Sequence, residues 1–217
     1  MSAASILAVS AADATAGVTD AEFGRLLGIP RGREMAAEIG ERAGLARRWY
    51  AEHGQPFVAL RRIALVSAAA GSVTLETGEV IGGAALAERL RDGEAHALVA
   101  LAVSAGPEVA AEAARLWADD RPDEWYFLDR FAAAIAEQLV WQASAALCGD
   151  ATAAGEGLLP HLSPGCGRWE ISAQHELMAL LCADQPPSPS APPTDGEDGL
   201  NMPVLGPMTL LASGAIR

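Results

Sequence analysis

Apolar positions recur at helical spacing between residues 19 and 50 and again after residue 106, with short strand-like runs between them. Thr19 can cap a helix that carries Asp20 and Glu22 in its first turn, with Phe23, Leu26 and Leu27 on one face; Gly28 and Pro30 stop it. Residues 33–50 predict a second helix, with Met35, Ile39, Leu45 and Trp49 on one stripe and Arg47-Arg48 near its C-terminal end, where the dipole favours cations. Residues 57–66 read as a strand. Residues 72–75 and 79–81 read as short strands about a Thr77-Gly78 turn, followed by a short helix over 86–91. Residues 95–104 are almost wholly apolar and predict a buried strand, with His96 as a strand-edge histidine. Helices follow over 107–119, with Pro107 in its first turn, and over 122–147, where Trp125, Leu128, Phe131, Ile135 and Leu139 mark one face. A last helix spans 172–183, with Leu177, Leu180 and Leu181 inward, and residues 202–217 read as a returning hairpin or strand pair.

Helices and short strands alternate without a clean βαβ rhythm. The pattern therefore predicts an α+β fold: one domain with a modest, mainly antiparallel sheet flanked by helices. Residues 1–18 are Ala- and Ser-rich with no clear period and read as a flexible tail, leaving 19–217 as the domain. The Pro/Ser/acid run at 185–199 cannot bury a core and reads as a disordered insertion.

Composition narrows the function classes. The chain has 217 residues, 51% of them apolar, which suits one sizeable core. Its formal net charge of −13 leaves no basic patch to neutralise phosphates, so a nucleic-acid partner is not expected. No uninterrupted apolar run is long enough to predict a membrane span, and the first residues make a poor signal peptide. Cys148, Cys166 and Cys182 have neither metal-type spacing nor an even count, so no metal site or disulfide framework is expected. Together these features predict a cytoplasmic protein with reduced thiols.

One segment departs from ordinary packing. Residues 159–169, Leu-Pro-His-Leu-Ser-Pro-Gly-Cys-Gly-Arg-Trp, hold two prolines, two glycines, a histidine, a cysteine and a tryptophan. Such a loop has a fixed shape and displays side chains. The helix Leu128-Asp129-Arg130-Phe131-Ala132-Ala133-Ala134-Ile135-Ala136-Glu137, the loop from His161 to Trp169, Gln174, and the end segment LGPMTLLASGAIR occur in an order that resembles the activation domain of cobalamin-dependent methionine synthase, in its short free-standing form. Phe23-Gly24-Arg25-Leu26-Leu27-Gly28-Ile29 is similar to that family's first motif.

The resemblance implies an α+β domain that binds S-adenosylmethionine in a shallow groove and presents it to an oxidised corrinoid, with cobalamin carried only by a partner. It implies an accessory protein of methionine biosynthesis that serves a corrinoid protein or methyltransferase. Ser163, Pro164, Gly165, Cys166 and Trp169 become candidate ligand-binding residues, and Glu137 matches a helix glutamate near the family's ligand. Asp129 joins that set, its other reading being an ion pair with Arg130 or Arg168. His161 stands where the family has an arginine, Cys166 where it has a tyrosine, and the stretch around Gly28 carries no acid. These departures keep a second function open: a divergent enzyme of small-molecule metabolism that reuses the groove, with His161 and Glu137 as general acid and base.

Overall fold

A computed structural model of the protein describes residues 5–183 and 208–216, with side chains from 211 onward in the last segment. Its elements are β1 (Ser5–Ala8), α1 (Ala11–Gly17), α2 (Asp20–Leu26), α3 (Ala37–His53), β2 (Phe57–Ala69), β3 (Ser72–Leu75), β4 (Val80–Gly82), α4 (Ala84–Asp92), β5 (Ala97–Ser104), α5 (Pro107–Ala118), α6 (Pro122–Ala153), β6 (Gly157–Leu158), α7 (Ala173–Cys182) and β7 (Met208–Ile216). The strands form one antiparallel sheet in the order β4-β3-β2-β5-β7-β6, and β1 also pairs with β2. The expected α+β class with an antiparallel sheet and flanking helices is what the chain adopts.

Strand β2 is long enough to serve two neighbours on one side. Its first residues pair with β1, Ser5 opposite Leu60 and Ala8 opposite Phe57, and its last residues pair with β3. The β2–β3 register shifts between Leu65 and Ser67, an irregularity of the kind at which a strand bends. On the other side β5 pairs with β2 from Ala97 to Ser104 and with β7 over the same residues. A strand flanked on both edges and covered on both faces reads as a continuous apolar run, and every residue of β5 is buried.

Alternation along β5 divides the core. Leu101 and Val103 face α1, α2, α3, α5 and α6. Leu98, Ala100 and Ala102 face α4, α7 and Trp169. On the first face Phe131 of α6 meets Phe23 of α2 and Tyr50 of α3 edge-on, with ring centroids 5.0 and 5.6 Å apart. On the second, Gly214 of β7 passes so close to α4 that a Cβ there would lie 2.5 Å from Leu90 Cδ2.

Several boundaries move. Residues 5–18 are structured, not a loose tail. Ser10 caps α1 by accepting from the Asp13 N–H, and Ala14 and Val18 are buried in the first core face. Small side chains give no hydrophobic period, so only the tertiary contacts reveal this element. Helix α3 starts at Ala37, four residues late, because Arg33 N–H is held by Pro30 O in a turn. Helix α6 continues to Ala153. Residues 208–216 form a single strand between β5 and β6, not a hairpin; the segment 185–199 lies outside the described residues.

By length and composition α6 could cross a membrane, although charged residues such as Arg130 and Glu137 interrupt its apolar run. In the fold its apolar stripe of Leu128, Phe131, Ile135 and Leu139 is buried in the first core face.

Candidate functional site

The segment leaving α6 is laid along the free edge of β7. Gly157 and Leu158 pair with Ile216 and Ala215, and Leu159 N–H donates to Gly214 O at 2.9 Å. Pro160 has no N–H to offer the ladder. Pairing resumes at Leu162, which exchanges two hydrogen bonds with Ala212 at 2.8 and 2.9 Å. Pro160 and His161 together therefore oppose the single residue Ser213, a bulge of the type that re-aims side chains. The bulge is fastened: Ser213 Oγ donates to Leu159 O, and Arg89 Nη1 of α4 donates to Pro160 O at 3.2 Å.

Beside the bulge lies an open cavity of about 200 Å³. Val99, Leu101 and Leu211 form its floor, Ser144, Leu147 and Cys148 of α6 its wall, and His161 its rim. Ser144 and Cys148 are four residues apart and so share one helix face. That spacing was the available sequence signal for both, but two small polar residues among alanines do not stand out.

The next residues make a tight turn. Cys166 N–H donates to Ser163 O at 3.0 Å, with Pro164 at the second turn position and Gly165 at the third with φ +89°. This is the type II arrangement, which requires a positive φ at the third position. Pro164 is buried, Ser163 half-buried, and Gly165 and Cys166 exposed.

Trp169 is not on the open surface. It is 2% exposed, on the second core face, and its Nε1–H donates to Gly82 O at 2.8 Å. Glu176 of α7 accepts from Gly82 N–H at 2.7 Å, and Arg168 pairs with Glu88 of α4. Both backbone groups of Gly82 are thus engaged by the loop and the helix after it. An apolar ring with one satisfied donor is an anchor, and it pins the loop to β4 and α4.

The two candidate acids lie elsewhere. Glu137, on the outer side of α6, forms an ion pair with Arg25 of α2, and its side chain is 51% exposed. The α6 residues beside His161 are 144 to 148, which are 7 to 11 positions further on, or roughly 10–16 Å along the axis. The fold places His161 on the cavity rim and Glu137 beside Arg25, outside that cavity. Asp129 pairs with its neighbour Arg130 and lines no part of the cavity. Among the described residues no group of three or more His, Cys, Asp or Glu side chains could hold a metal ion.

A separate polar cluster ties three elements together. Glu156 Oε1 lies 2.8 Å from Arg62 Nη2 and 3.1 Å from His96 Nε2, joining β2, the start of β5 and the turn before β6. The Arg62 hydrogen bond holds the Glu156 carboxyl below the usual carboxylate range. The strand-edge His96 belongs to this structural latch.

The architecture is similar to a crystal structure of the MetH reactivation domain bound to AdoHcy, with a TM-score of 0.60 over 82% of this chain and 69% of that one. The chain has the MetH reactivation-domain fold. At 12% identity the likeness is one of fold. No protein-family model matches the chain, and no curated protein matches it.

Proposed function

We propose that this protein binds a small molecule of the S-adenosyl class at the His161 cavity and the adjoining 163–166 turn, as an accessory to a corrinoid-dependent methyltransferase. Two things support the reading: the fold likeness to a domain crystallised with AdoHcy, and the bulge that sets His161 over an apolar cavity at the β7 edge. The bulge carries the proposal, because it is a built feature with no packing role for the side chain it displays.

The residues fit part of such a ligand. The cavity of about 200 Å³ is below the ~300 Å³ at which pockets begin to enclose drug-sized molecules. It takes a ring-sized apolar portion and leaves the rest along the open rim. Ser144, Cys148 and His161 offer hydrogen-bonding groups there, but among the described residues no carboxylate or arginine lines the cavity. The chain can therefore hold the uncharged adenosyl portion, and supplies no bidentate clamp for a carboxylate at this place. Bound S-adenosylmethionine would supply an electrophilic methyl group; the protein's share is to position it. The cobalamin would be the partner's, and the expected setting is cytoplasmic, in methionine biosynthesis.

Calorimetric titration with AdoHcy and with S-adenosylmethionine tests the reading. The native protein binds at least one in the micromolar range, and Ser144→Trp, which fills the cavity, weakens binding by more than about tenfold without lowering the melting temperature. Absence of heat with either compound at millimolar concentration overturns the proposal.

A further inference from the structure

We propose that the cleft between α2 and α3 is a second binding site, for a small anionic molecule with a flat apolar body whose carboxylate or phosphate ester is held by Arg31 and Arg33. The cleft measures about 950 Å³, within the ~300–1,000 Å³ of small-molecule sites. It lies beyond the Arg25–Glu137 ion pair, and its lining shares no residue with that of the His161 cavity.

The connector from α2 to α3 is a constructed loop. Helix α2 ends in a Schellman motif: Ile29 N–H donates to Gly24 O and Gly28 N–H to Arg25 O, with Gly28 at φ +79°. A turn follows at once, in which Arg33 N–H donates to Pro30 O around Gly32 at φ +81°. Arg31 and Arg33 flank this second glycine, so backbone hydrogen bonds set where both arginines start.

The charges at the cleft then sort themselves. Arg47 is spent internally: it donates to Val18 O and Asp20 Oδ1 and lies over the Phe23 and Phe131 rings, at 5.4 and 5.1 Å from their centroids. Arg25 is paired with Glu137. The Glu22 carboxylate accepts from the backbone and hydroxyl of Thr19. Two guanidinium groups remain, Arg31 and Arg33, which no hydrogen bond or ion pair joins to another described residue; Glu34 is the remaining acid. The chain has 15 basic residues against 28 acidic ones and no lysine, so every basic side chain is an arginine. Leaving two of them unpaired at one cleft is unexpected in so acidic a protein. Planar guanidinium groups suit carboxylate and phosphate oxygens.

The floor of the cleft is apolar. Ile29 and Met35, which cover the buried Gly24, provide aliphatic and thioether surface, while the half-buried Gly40 and Gly44 leave helix backbone without side chains. A Cβ added at Gly40 would meet nothing within 4 Å. Glycine there answers no packing need of the fold, and it weakens the helix. What it preserves is room for a flat group.

Anilinonaphthalene sulfonate, a flat aromatic anion, is the probe, with uncharged phenylnaphthylamine as its control. The native protein enhances the anion's fluorescence with saturable affinity and binds the uncharged relative at least about tenfold more weakly. Gly40→Leu fills the cleft, keeps or raises the melting temperature, and abolishes saturable binding. Arg31→Ser with Arg33→Ser weakens it by about tenfold and removes most of its salt dependence. Displacement of the probe by a nucleoside monophosphate supports a phosphate headgroup, and displacement by an aryl carboxylate supports a carboxylate; failure of both at ten millimolar concentration overturns the proposal. So does native-like probe binding by Gly40→Leu, or competition by AdoHcy, which would make the two sites one. Because Ser144→Trp keeps probe binding and Gly40→Leu keeps AdoHcy binding, either site can fail without the other.

Discussion

Replacing Trp169 with phenylalanine separates an anchor from a ligand contact. Two losses add. The Nε1–H bond to Gly82 O at 2.8 Å disappears, worth ~1 kcal/mol net. The smaller ring also withdraws about three heavy atoms from a site that is 2% exposed, at ~0.8 kcal/mol for each methylene-sized group. The sum is ~3 kcal/mol. For a domain of this size that is a fall of roughly 6–12 °C in melting temperature, at about 2–4 °C per kcal/mol. In urea it is a midpoint shift of about 1.5 M for a slope of ~2 kcal/mol/M. Both follow from far-ultraviolet circular dichroism, and AdoHcy affinity measured well below the melting range should stay within about threefold of native. Gly83 sharpens the test. A Cβ there would lie 2.6 Å from Trp169 Cδ1 and Nε1, so Gly83→Ala destabilises the native protein and does less damage in the phenylalanine background. A Trp169→Phe protein that melts within about 1 °C of native but no longer binds AdoHcy refutes the anchor and returns Trp169 to the ligand.

Three further outcomes are expected. Tyr50→Phe removes the hydroxyl that donates to Ala105 O at 2.7 Å inside the first core face, leaving a buried carbonyl unpaired, and lowers stability by ~1–3 kcal/mol in urea denaturation; burial pushes the Tyr50 hydroxyl well above the usual phenol range, so the native protein's ultraviolet titration shows one tyrosine that does not ionise before unfolding. Glu137→Gln breaks only an exposed pair with Arg25 and changes stability by less than ~1 kcal/mol, with AdoHcy affinity unchanged by calorimetry; a large loss of affinity would place Glu137 in the ligand site after all. The Glu156 carboxyl is held below its ordinary value of 4.5 chiefly by Arg62, so its contribution to stability is present above that value and is lost as pH falls through the lower folded-state value. Arg62→Ala should flatten this acid limb in pH-dependent urea melts, and an unchanged limb would exclude the latch.

Much of the local structure was legible along the chain. The Thr19-x-x-Glu22 capping box, the apolar run of β5 and the stripe Leu128, Phe131, Ile135, Leu139 of α6 each announce an element through chemistry confined to a few neighbouring residues. Strand β1 and helix α1 were not legible, because so short an Ala- and Ser-rich stretch carries no period and acquires a structural role from β2, α3 and α6. The loop was visible as an unusual composition, and Pro164-Gly165 does form the turn its residues favour. Trp169 and His161 belong to that same short loop, yet one is buried as an anchor and the other lies on an open rim.

Sequence by itself determined the α+β class, most helix and strand positions and the turn at 163–166, since propensity, capping and alternation act within a few residues of one another. Tertiary structure alone decided which of those elements meet. The two faces of the sheet carry Glu137 with Arg25 on one side and Trp169 with Gly82 on the other, so one linear order of motifs is divided between opposite layers. Side-chain direction alternates residue by residue along a strand, and a single extra residue at Pro160-His161 re-aims the histidine. Such placement depends on pairing between segments some fifty residues apart in the chain, 159–162 against 212–214, which no local pattern records.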